Sequence, residues 1–485
     1  MTVTLPSYAR DPLRAPVKSR SRWWTLPVLL AAVFITTLDF FIANVAVPSI
    51  RADLQAGAAS AQFVVAGYGL AYAAGLIISG RLGDLYGPRR VFTVGLALFT
   101  LASAACGAAP DASFLVFSRV VQGTAAALMG PQVLALLAAL YAGADRPRAF
   151  GWYGAAVGLA GVSGQVVGGL LVAADPAGLG WRACFLVNIP IGAAALVMTR
   201  RLIPESRATA ALPRPSRAWA AVDLPGAVLV ATGLVAIVLP LIQGREQGWP
   251  AWTWFSLAAS VPVMAAFIAR QRRRAATGRE PLLDLGLFTE RGFTFGLLAV
   301  ALLFANSAGL SFVLAVFLQE GLGLSPVTSG AVFTAINAGF LLASLQTRRL
   351  TRRLERRLPV VGALALTCGL ALIHQAINYA DPSLRLLPGL FLTGAGMGLV
   401  MSPLISAVLA SAGSRHRGGA SGVLGTVQET GGVLGIAVTG LVFFGALEGG
   451  TEWTGAVRAG IALLISSSVA VVALIWLHFR ARMTN

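Results

Sequence analysis

The sequence has little charge and few residues that bind metals or form disulfides. Charged side chains make up 12% of its 485 residues, about half of the roughly 25% found in soluble globular chains. The three cysteines, Cys106, Cys184 and Cys368, lie far apart in apolar segments, which argues against a disulfide framework or a metal site. The scarcity of charge predicts an integral membrane protein.

Long apolar runs recur along the chain, and the mean hydropathy is +0.77. A helix needs about 20 apolar residues to cross a bilayer. These runs do not alternate in hydrophobicity as the strands of an outer-membrane barrel do. The sequence therefore predicts an all-α polytopic membrane protein with fourteen transmembrane helices, at about 25–48, 61–80, 91–109, 113–141, 149–173, 183–203, 221–243, 252–270, 293–319, 326–347, 358–378, 384–412, 420–446 and 455–479.

The positive charge is almost entirely arginine. Lys18 is the only lysine among 37 basic residues, and the formal net charge is +18. Most arginines lie in alternate loops and in the two tails, which is the positive-inside pattern of a multi-pass cell membrane protein with both termini cytoplasmic. We therefore expect membrane lipid, and no nucleic acid, to face this charge. Such a composition is typical of a GC-rich bacterial genome.

The chain repeats weakly at an offset of 271 residues, where Arg81-x-x-Asp84 aligns with Arg352-x-x-Glu355. A parallel repeat of two six-helix halves is typical of transporters that rock around a midplane site. We expect the helix pair inserted between the halves to be peripheral. The predicted domains are a cytoplasmic tail at 1–24, a first six-helix half at 25–203, a linker at 204–292 with inserted helices at about 221–243 and 252–270, a second six-helix half at 293–479, and a cytoplasmic tail at 480–485.

Three ionisable residues interrupt the apolar runs. Asp39 lies near the middle of the first run, Glu429 lies in the thirteenth, and Arg119 is the one basic residue predicted within a helix. A charge at the bilayer centre costs about 2.5–3.5 kcal/mol on insertion scales, so such residues usually face a cavity and serve transport. We predict that Asp39 is the main proton site, that Arg119 tunes it, and that Glu429 binds substrate charge or a second proton. A structural Arg119, bonded to carbonyls of a neighbouring helix, is the alternative.

The segment GRLGDLYGPRRV, 80–91, resembles the signature loop of the major facilitator superfamily. The resemblance implies a latch that joins the cytoplasmic ends of the two halves in one conformational state. Asp84 would meet a helix end of the second half, and Gly80 would allow close packing. Arg81 and Arg90 would hold a charge network. The predicted latch residues are Gly80, Arg81, Gly83, Asp84, Gly87, Arg89 and Arg90.

Two further motifs are similar to those of the family's exporters. RVVQG, starting at Arg119, resembles a motif of proton-coupled members, which implies a part for Arg119 and Gln122 in proton transfer. GQVVGG, starting at Gly164, resembles the antiporter motif Gly-Pro-x-x-Gly-Gly, with Gln165 in place of proline. With WRACFLVNIPIG and LDFFIANVAVPSI, these motifs resemble the fourteen-helix drug:proton antiporters. The residues implied in antiporter helix packing are Gly161, Gly164, Gln165, Gly168 and Gly169.

The expected function is proton-coupled efflux of amphipathic or lipophilic drugs by alternating access. The sequence has no Walker A loop, His-Glu-x-x-His motif or nucleophile elbow, so we expect no enzyme, no cofactor and no metal, and a proton gradient as the energy source. The expected partners are a small-molecule substrate, protons and lipid, and the sequence does not specify an oligomeric state. A dedicated exporter of one metabolite or antibiotic, an importer and a membrane sensor are the alternatives. The predicted cavity residues are Tyr68, Asn306, Phe317 and Asn337.

Overall fold

The computed structural model of the chain is built from helices. It describes residues 22–141, 145–203, 223–279, 281–283, 285–354, 357–379, 383–411 and 417–481, and no strand occurs in these ranges. The helices are α1 (Thr25–Leu54), α2 (Ala58–Tyr86), α3 (Pro88–Gly107), α4 (Ala112–Leu140), α5 (Asp145–Ala174), α6 (Gly180–Leu202), α7 (Leu224–Glu246), α8 (Ala251–Ala276), α9 (Arg291–Val316, extended by a π-helical turn at Phe317–Gly321), α10 (Pro326–Leu354), α11 (Leu358–Ala376), α12 (Ser383–Ser411), α13 (Arg417–Glu448) and α14 (Trp453–Ala481).

Twelve helices in the described ranges are long and apolar enough to cross a membrane. α5 is bent by 40° between its segments Trp152–Gly161 and Ser163–Ala174. If the two segments are counted as one span, α5 is the thirteenth. α2 is 29 residues long but is not among these spans. Fourteen membrane crossings therefore remain a prediction.

The first two helices extend beyond their predicted limits. α1 continues to Leu54, and α2 continues to Tyr86. The predicted loop at 80–91 is therefore wrong, because only Gly87 separates α2 from α3. Gly87 has a φ of 84°, a left-handed conformation that glycine adopts without a steric penalty. Pro88 then suits the first turn of α3, where its missing N–H costs nothing.

The helices pack mainly in two groups, α1–α6 and α9–α14. Between the groups, α2 packs against α13, and α5 packs against α10. These two contacts, which we call the seams, are equivalent under the sequence repeat. The helices α1 and α7 both end at the same end of the bundle, which we call the Glu246 end. The turn from α2 to α3 lies at the opposite end.

The hairpin of α7 and α8 lies over the α2–α13 seam. α7 packs against both seam helices, whereas α8 contacts mainly α7 and leaves Trp254 and Phe255 exposed. Both groups therefore cover part of α7, and the expectation that the inserted pair is peripheral stays a prediction. Asp223, the N-cap residue of α7, accepts hydrogen bonds from Gln271 at 2.9 Å and from Arg270 at 2.6 Å, both in α8. Burial alone would raise the pKa of Asp223, but these hydrogen bonds outweigh it and hold the pKa below its usual range.

Candidate functional site

A buried ion pair lies inside the first helix group. Asp39 of α1 and Arg119 of α4 are both fully buried, and Nη1 of Arg119 contacts Oδ2 of Asp39. Nε of Arg119 also donates to the main-chain carbonyl of Val64 in α2 at 2.8 Å. Removing one partner of a buried ion pair costs about 3–5 kcal/mol, because the other charge is left uncompensated. Each of the two charges therefore makes the other tolerable in an apolar bundle.

Polar side chains from three further positions complete the surroundings of Asp39. Gln122 Nε2 and Asn188 Nδ2 both donate to Oδ1 of Asp39, at 2.8 and 2.7 Å. Gln122 Nε2 also donates to Ser103 Oγ at 2.8 Å, and Gln122 Oε1 accepts from Arg119 at 2.7 Å. The network, which we call the Asp39 network, joins α1, α3, α4 and α6 around one carboxylate.

Sequence reasoning missed two members of the Asp39 network. Asn188 lies in the quoted stretch WRACFLVNIPIG, and an amide within an apolar run was a usable signal, because buried amides need hydrogen-bonding partners. Ser103 gave no signal, since a lone serine in an apolar helix commonly bonds to its own backbone. Only the packing of α3 and α6 against α1 and α4 identifies both residues.

Tyr68 of α2 covers the ion pair. Its ring centre lies 4.3 Å from Cζ of Arg119, and its hydroxyl donates to the main-chain carbonyl of Thr36 at 3.2 Å. The ring also stacks on Tyr72, with 6.1 Å between the ring centres. A cation–π contact of a desolvated arginine contributes about 2 kcal/mol. This predicted cavity residue therefore packs directly against the predicted proton site.

The second helix group contains polar side chains without hydrogen-bonding partners among the described residues. Glu429 of α13 is half-buried and lies within electrostatic range of Tyr68 and Tyr72. The amide nitrogen and oxygen of Asn306 in α9 are buried and unpaired, as is Oγ1 of Thr430. Because buried polar groups are normally hydrogen-bonded, these groups are available to a ligand or to water. Thr430 was not predicted from the sequence.

The remaining predicted cavity residues differ in their surroundings. Asn337 of α10 is half-buried, and its Nδ2 has no partner in the described ranges. Phe317 is fully buried in a hydrophobic cluster to which both helix groups contribute, and a Cβ at Gly321 in the same π-helical turn would lie 2.8 Å from its ring. Its place in a substrate cavity stays a prediction.

The described parts of the predicted latch show one close contact and one open position. A Cβ at Gly83 would lie 2.1 Å from Oε1 of Gln132 in α4, so a larger residue here would displace the Gln132 side chain. At Gly80 a Cβ would meet no described atom within 4 Å, and the close packing expected there in one conformational state stays a prediction. Arg89 donates to the main-chain carbonyl of Arg200 at 3.0 Å, whereas Arg90 is exposed at the surface. The side chains of Arg81 and Asp84 lie outside the described set, and their latch role stays a prediction.

The glycines of the antiporter-like motif lie against two helices. A Cβ at Gly164 would lie 2.8 Å from Phe41 of α1, and a Cβ at Gly168 would lie 2.9 Å from Ile42. A Cβ at Gly169 would lie 2.4 Å from the main-chain oxygen of Pro326 in α10. Small residues let helix backbones approach closely in membranes. Two further residues of the motif lie on these faces. A Cβ at Gly161 would lie 3.4 Å from Phe41, and a Cβ at Gly330 of α10 would lie 2.7 Å from the main-chain oxygen of Gln165.

The chain matches a known protein family and several bacterial relatives. Residues 29–436 and 296–483 match the family model of the Major Facilitator Superfamily. The chain is 37% identical to the "Probable actinorhodin transporter" of Streptomyces coelicolor, over 90% of this chain and 75% of that protein. It is 36% identical to "Puromycin resistance protein pur8" of Streptomyces alboniger, over 88% of this chain and 82% of that protein. It is 30% identical to "Methylenomycin A resistance protein" of Bacillus subtilis, over 94% of each.

Solved transporter structures share the fold. The peptide transporter POT in complex with sulfate has a TM-score of 0.67 at 17% identity, over 93% of this chain and 94% of that one. A bacterial homologue of the human lysosomal transporter Spinster, in an inward-facing and occupied conformation, has a TM-score of 0.65 at 17% identity, over 96% of this chain and 98% of that one. With its apolar helices and bacterial relatives, this bacterial membrane protein belongs to the major facilitator superfamily, a family of transporters and not of enzymes.

Proposed function

We propose that the protein is a proton-coupled exporter of amphipathic or lipophilic small molecules that works by alternating access. Its relatives carry the names of antibiotic transporters and resistance proteins, which supports export of compounds of this kind. The observation that carries the proposal of proton coupling is the ion pair between Asp39 and Arg119, fully buried in the bundle. Ionisable residues inside a membrane bundle usually mark proton or substrate pathways.

The proposed architecture has fourteen membrane crossings, in two six-helix halves with α7 and α8 inserted between them. Both termini lie in the cytoplasm, as the arginine distribution favours, and basic loops face anionic lipid on that side. The two seams are the surfaces along which the halves move, because they join the two halves and are equivalent to each other under the sequence repeat. The protein needs no cofactor, and the proton gradient supplies the energy.

Protonation of Asp39 is the proposed coupling step. A protonated Asp39 no longer compensates Arg119, which remains charged because its guanidinium does not deprotonate in proteins. Leaving that charge unpaired in the bundle is unfavourable by several kcal/mol, so α1 and α4 are driven to a new arrangement in which Arg119 finds another acceptor. Tyr68, which contacts Arg119 and lies in electrostatic range of Glu429, connects this change to the second half.

The proposed substrate region lies between α2 of the first half and the polar residues of α9 and α13 in the second half. Glu429 would attract cationic groups, and the unpaired amide of Asn306 and hydroxyl of Thr430 would bind polar ones. Tyr68 and Tyr72 would supply apolar and cation–π contact. This combination of aromatic faces and few polar groups suits amphipathic ligands, because pockets for small molecules are mostly apolar with a few orienting polar groups.

The test is exchange of substrate for protons in proteoliposomes. We expect Asp39→Asn to lower substrate-driven proton movement at least about tenfold, and Glu429→Gln to weaken transport of cationic substrates more than of neutral ones. The matched control is Asp53→Asn, on the same helix, whose carboxylate pairs with Arg182 at 2.6 Å near the surface and should leave exchange unchanged. Full exchange by Asp39→Asn would show that Asp39 is not the coupling residue.

A dedicated exporter of one antibiotic is a second candidate function. It is favoured by the names of three relatives, because each name mentions a single compound: actinorhodin, puromycin or methylenomycin A. A panel of unrelated lipophilic cations and antibiotics, tested in inside-out vesicles, separates the two functions. Transport of many unrelated compounds supports the multidrug exporter, and transport of one compound class supports the dedicated exporter.

A further inference from the structure

The inserted hairpin binds the first helix group at the Glu246 end. Oε1 of Glu246, the last residue of α7, accepts a hydrogen bond of 2.6 Å from the main-chain nitrogen of Ala59 in the first turn of α2. α2 has Gly57 as its N-cap and no side-chain cap of its own. A carboxylate at a helix N-terminus is favoured by the unpaired N–H groups and the helix dipole. Glu246 therefore caps a helix of the first group from outside that group.

The preceding residue binds the second helix group. The guanidinium of Arg245 pairs with Glu448 at the end of α13, and its Cζ lies 5.3 Å from the ring centre of Phe444. The Arg245 side chain is 7% exposed and that of Glu448 is 58% exposed, so water reaches this ion pair from the Glu448 side and weakens it. Two consecutive residues of α7 thus bind the two helices of one seam, one on each side.

Phe444 is also the meeting point of a direct contact between the groups. Cζ of Arg51, in the last turn of α1, lies 5.8 Å from the same ring. Arg51 Nη1 donates to the two carboxylate oxygens of Glu320, in the π-helical turn that extends α9, at 2.8 and 2.5 Å. Next to it, Gln319 donates to the main-chain carbonyl of Val45 at 3.0 Å. The first group, the hairpin and the second group therefore converge on one phenylalanine.

We propose that Arg245 and Glu246 form a clamp that keeps the Glu246 end closed, so that the inserted hairpin sets the balance between the closed and open forms of this end. When α2 and α13 separate here, α7 can follow one of them but not both. Opening must therefore break either the Glu246–Ala59 contact or the contacts of Arg245 with Glu448 and Phe444. The proposal rests on the alternating access proposed above, but not on proton coupling or on the identity of the substrate.

The clamp is tested by measuring distances across the Glu246 end. Spin labels at Gln55→Cys and Glu452→Cys, in a Cys368→Ser background, report the separation of the two groups by pulsed electron paramagnetic resonance in lipid nanodiscs. We expect Arg245→Gln and Glu246→Gln each to raise the ratio of open to closed protein roughly threefold, as the loss of one partly exposed polar contact implies. Glu448→Gln should shift the ratio in the same direction as Arg245→Gln but less, since it leaves the contact with Phe444, and combining the two should add little to Arg245→Gln.

The matched control is Arg182→Gln. It removes an ion pair with Asp53, of 2.6 Å between Nη1 and Oδ2, at the same end but within the first group, and we expect no change in the distances. Unchanged distances in both Arg245→Gln and Glu246→Gln, or an equal shift in Arg182→Gln, would overturn the clamp. The distances are read without substrate or a proton gradient, so failure of the exchange assay would count against the proposed function and leave this test intact.

Discussion

Asp39 and Arg119 illustrate, at the scale of single residues, how a membrane bundle holds charge. Both side chains are fully buried, and amide donors from Gln122 and Asn188 bind the same carboxylate. Neither residue contributes a separate share of the stability, because removing one charge leaves the other uncompensated in a medium of low dielectric constant. The pair should therefore respond to mutation as a unit.

Arg119→Gln is expected to lower the free energy of unfolding by about 3–5 kcal/mol, because the Asp39 carboxylate stays buried without its counter-charge. Adding Asp39→Asn to this variant should recover most of the loss, since the double variant contains no buried charge at this site. Thermal unfolding in detergent micelles measures both. A double variant that is less stable than Arg119→Gln alone would contradict the compensation.

At the scale of helices, glycine sets how closely the groups approach. Gly69 of α2 lies against Val433 of α13, and Gly169 of α5 lies against Pro326 of α10, where added Cβ atoms would lie 2.8 and 2.4 Å from the nearest atoms. At Gly69 the nearest atom belongs to the Val433 side chain, whereas at Gly169 it is the main-chain oxygen of Pro326. A main-chain contact cannot be relieved by rotating a side chain, so extra volume at Gly169 must move a whole helix.

Gly169→Val is expected to reduce transport at least about tenfold, because its Cβ would overlap the main chain of α10 and force the α5–α10 seam apart. Gly154→Val, on the same helix, is the matched control: a Cβ there meets no described atom within 4 Å, and we expect normal transport. Uptake into inside-out vesicles, normalised to the amount of protein in the membrane, provides the measurement. Equal transport by the two variants would show that the seam tolerates the added volume.

At the scale of the whole molecule, the number of membrane crossings decides where the termini lie. Fourteen crossings would place both termini on the same side, which the arginine distribution predicts to be cytoplasmic, whereas thirteen would place them on opposite sides. We expect Thr2→Cys and Asn485→Cys to be protected from a membrane-impermeant maleimide in intact cells. Gln55→Cys, at the exposed end of α1, should be labelled under the same conditions. Labelling of one terminus and protection of the other would contradict the even number.

Much of the helical fold could be predicted from the sequence, since apolar runs long enough to span a bilayer have few other uses. Asp39 and Arg119 could also be predicted as partners, because each is an isolated charge in such a run. Ser103 could not, since its place in the network depends on how α3 packs against α4. The extension of α2 to Tyr86 was missed because charged residues at a membrane surface resemble a loop in composition, although they form helix equally well.

The inserted hairpin was the part of the molecule that the sequence described least well. No sequence motif marks Arg245 and Glu246, which follow an apolar run. Their partners, Ala59 and Glu448, are distant in sequence, and one of them is a main-chain nitrogen that no side-chain pattern reveals. Tertiary contacts of this kind follow from the arrangement of α2, α7 and α13, and the repeat offers no second copy of the hairpin for comparison.

The neutrality of the Asp39 network has an electrical consequence. The ionised Asp39 and the guanidinium of Arg119 sum to zero charge, so a transmembrane voltage exerts little net force on them. Once a proton neutralises Asp39, one positive charge remains within the field, and a charge that crosses the full membrane gains or loses about 2.3 kcal/mol per 100 mV. Voltage would then act on the protonated form alone, and a cell that keeps its pH difference but loses its voltage would lose part of the driving force at this residue pair.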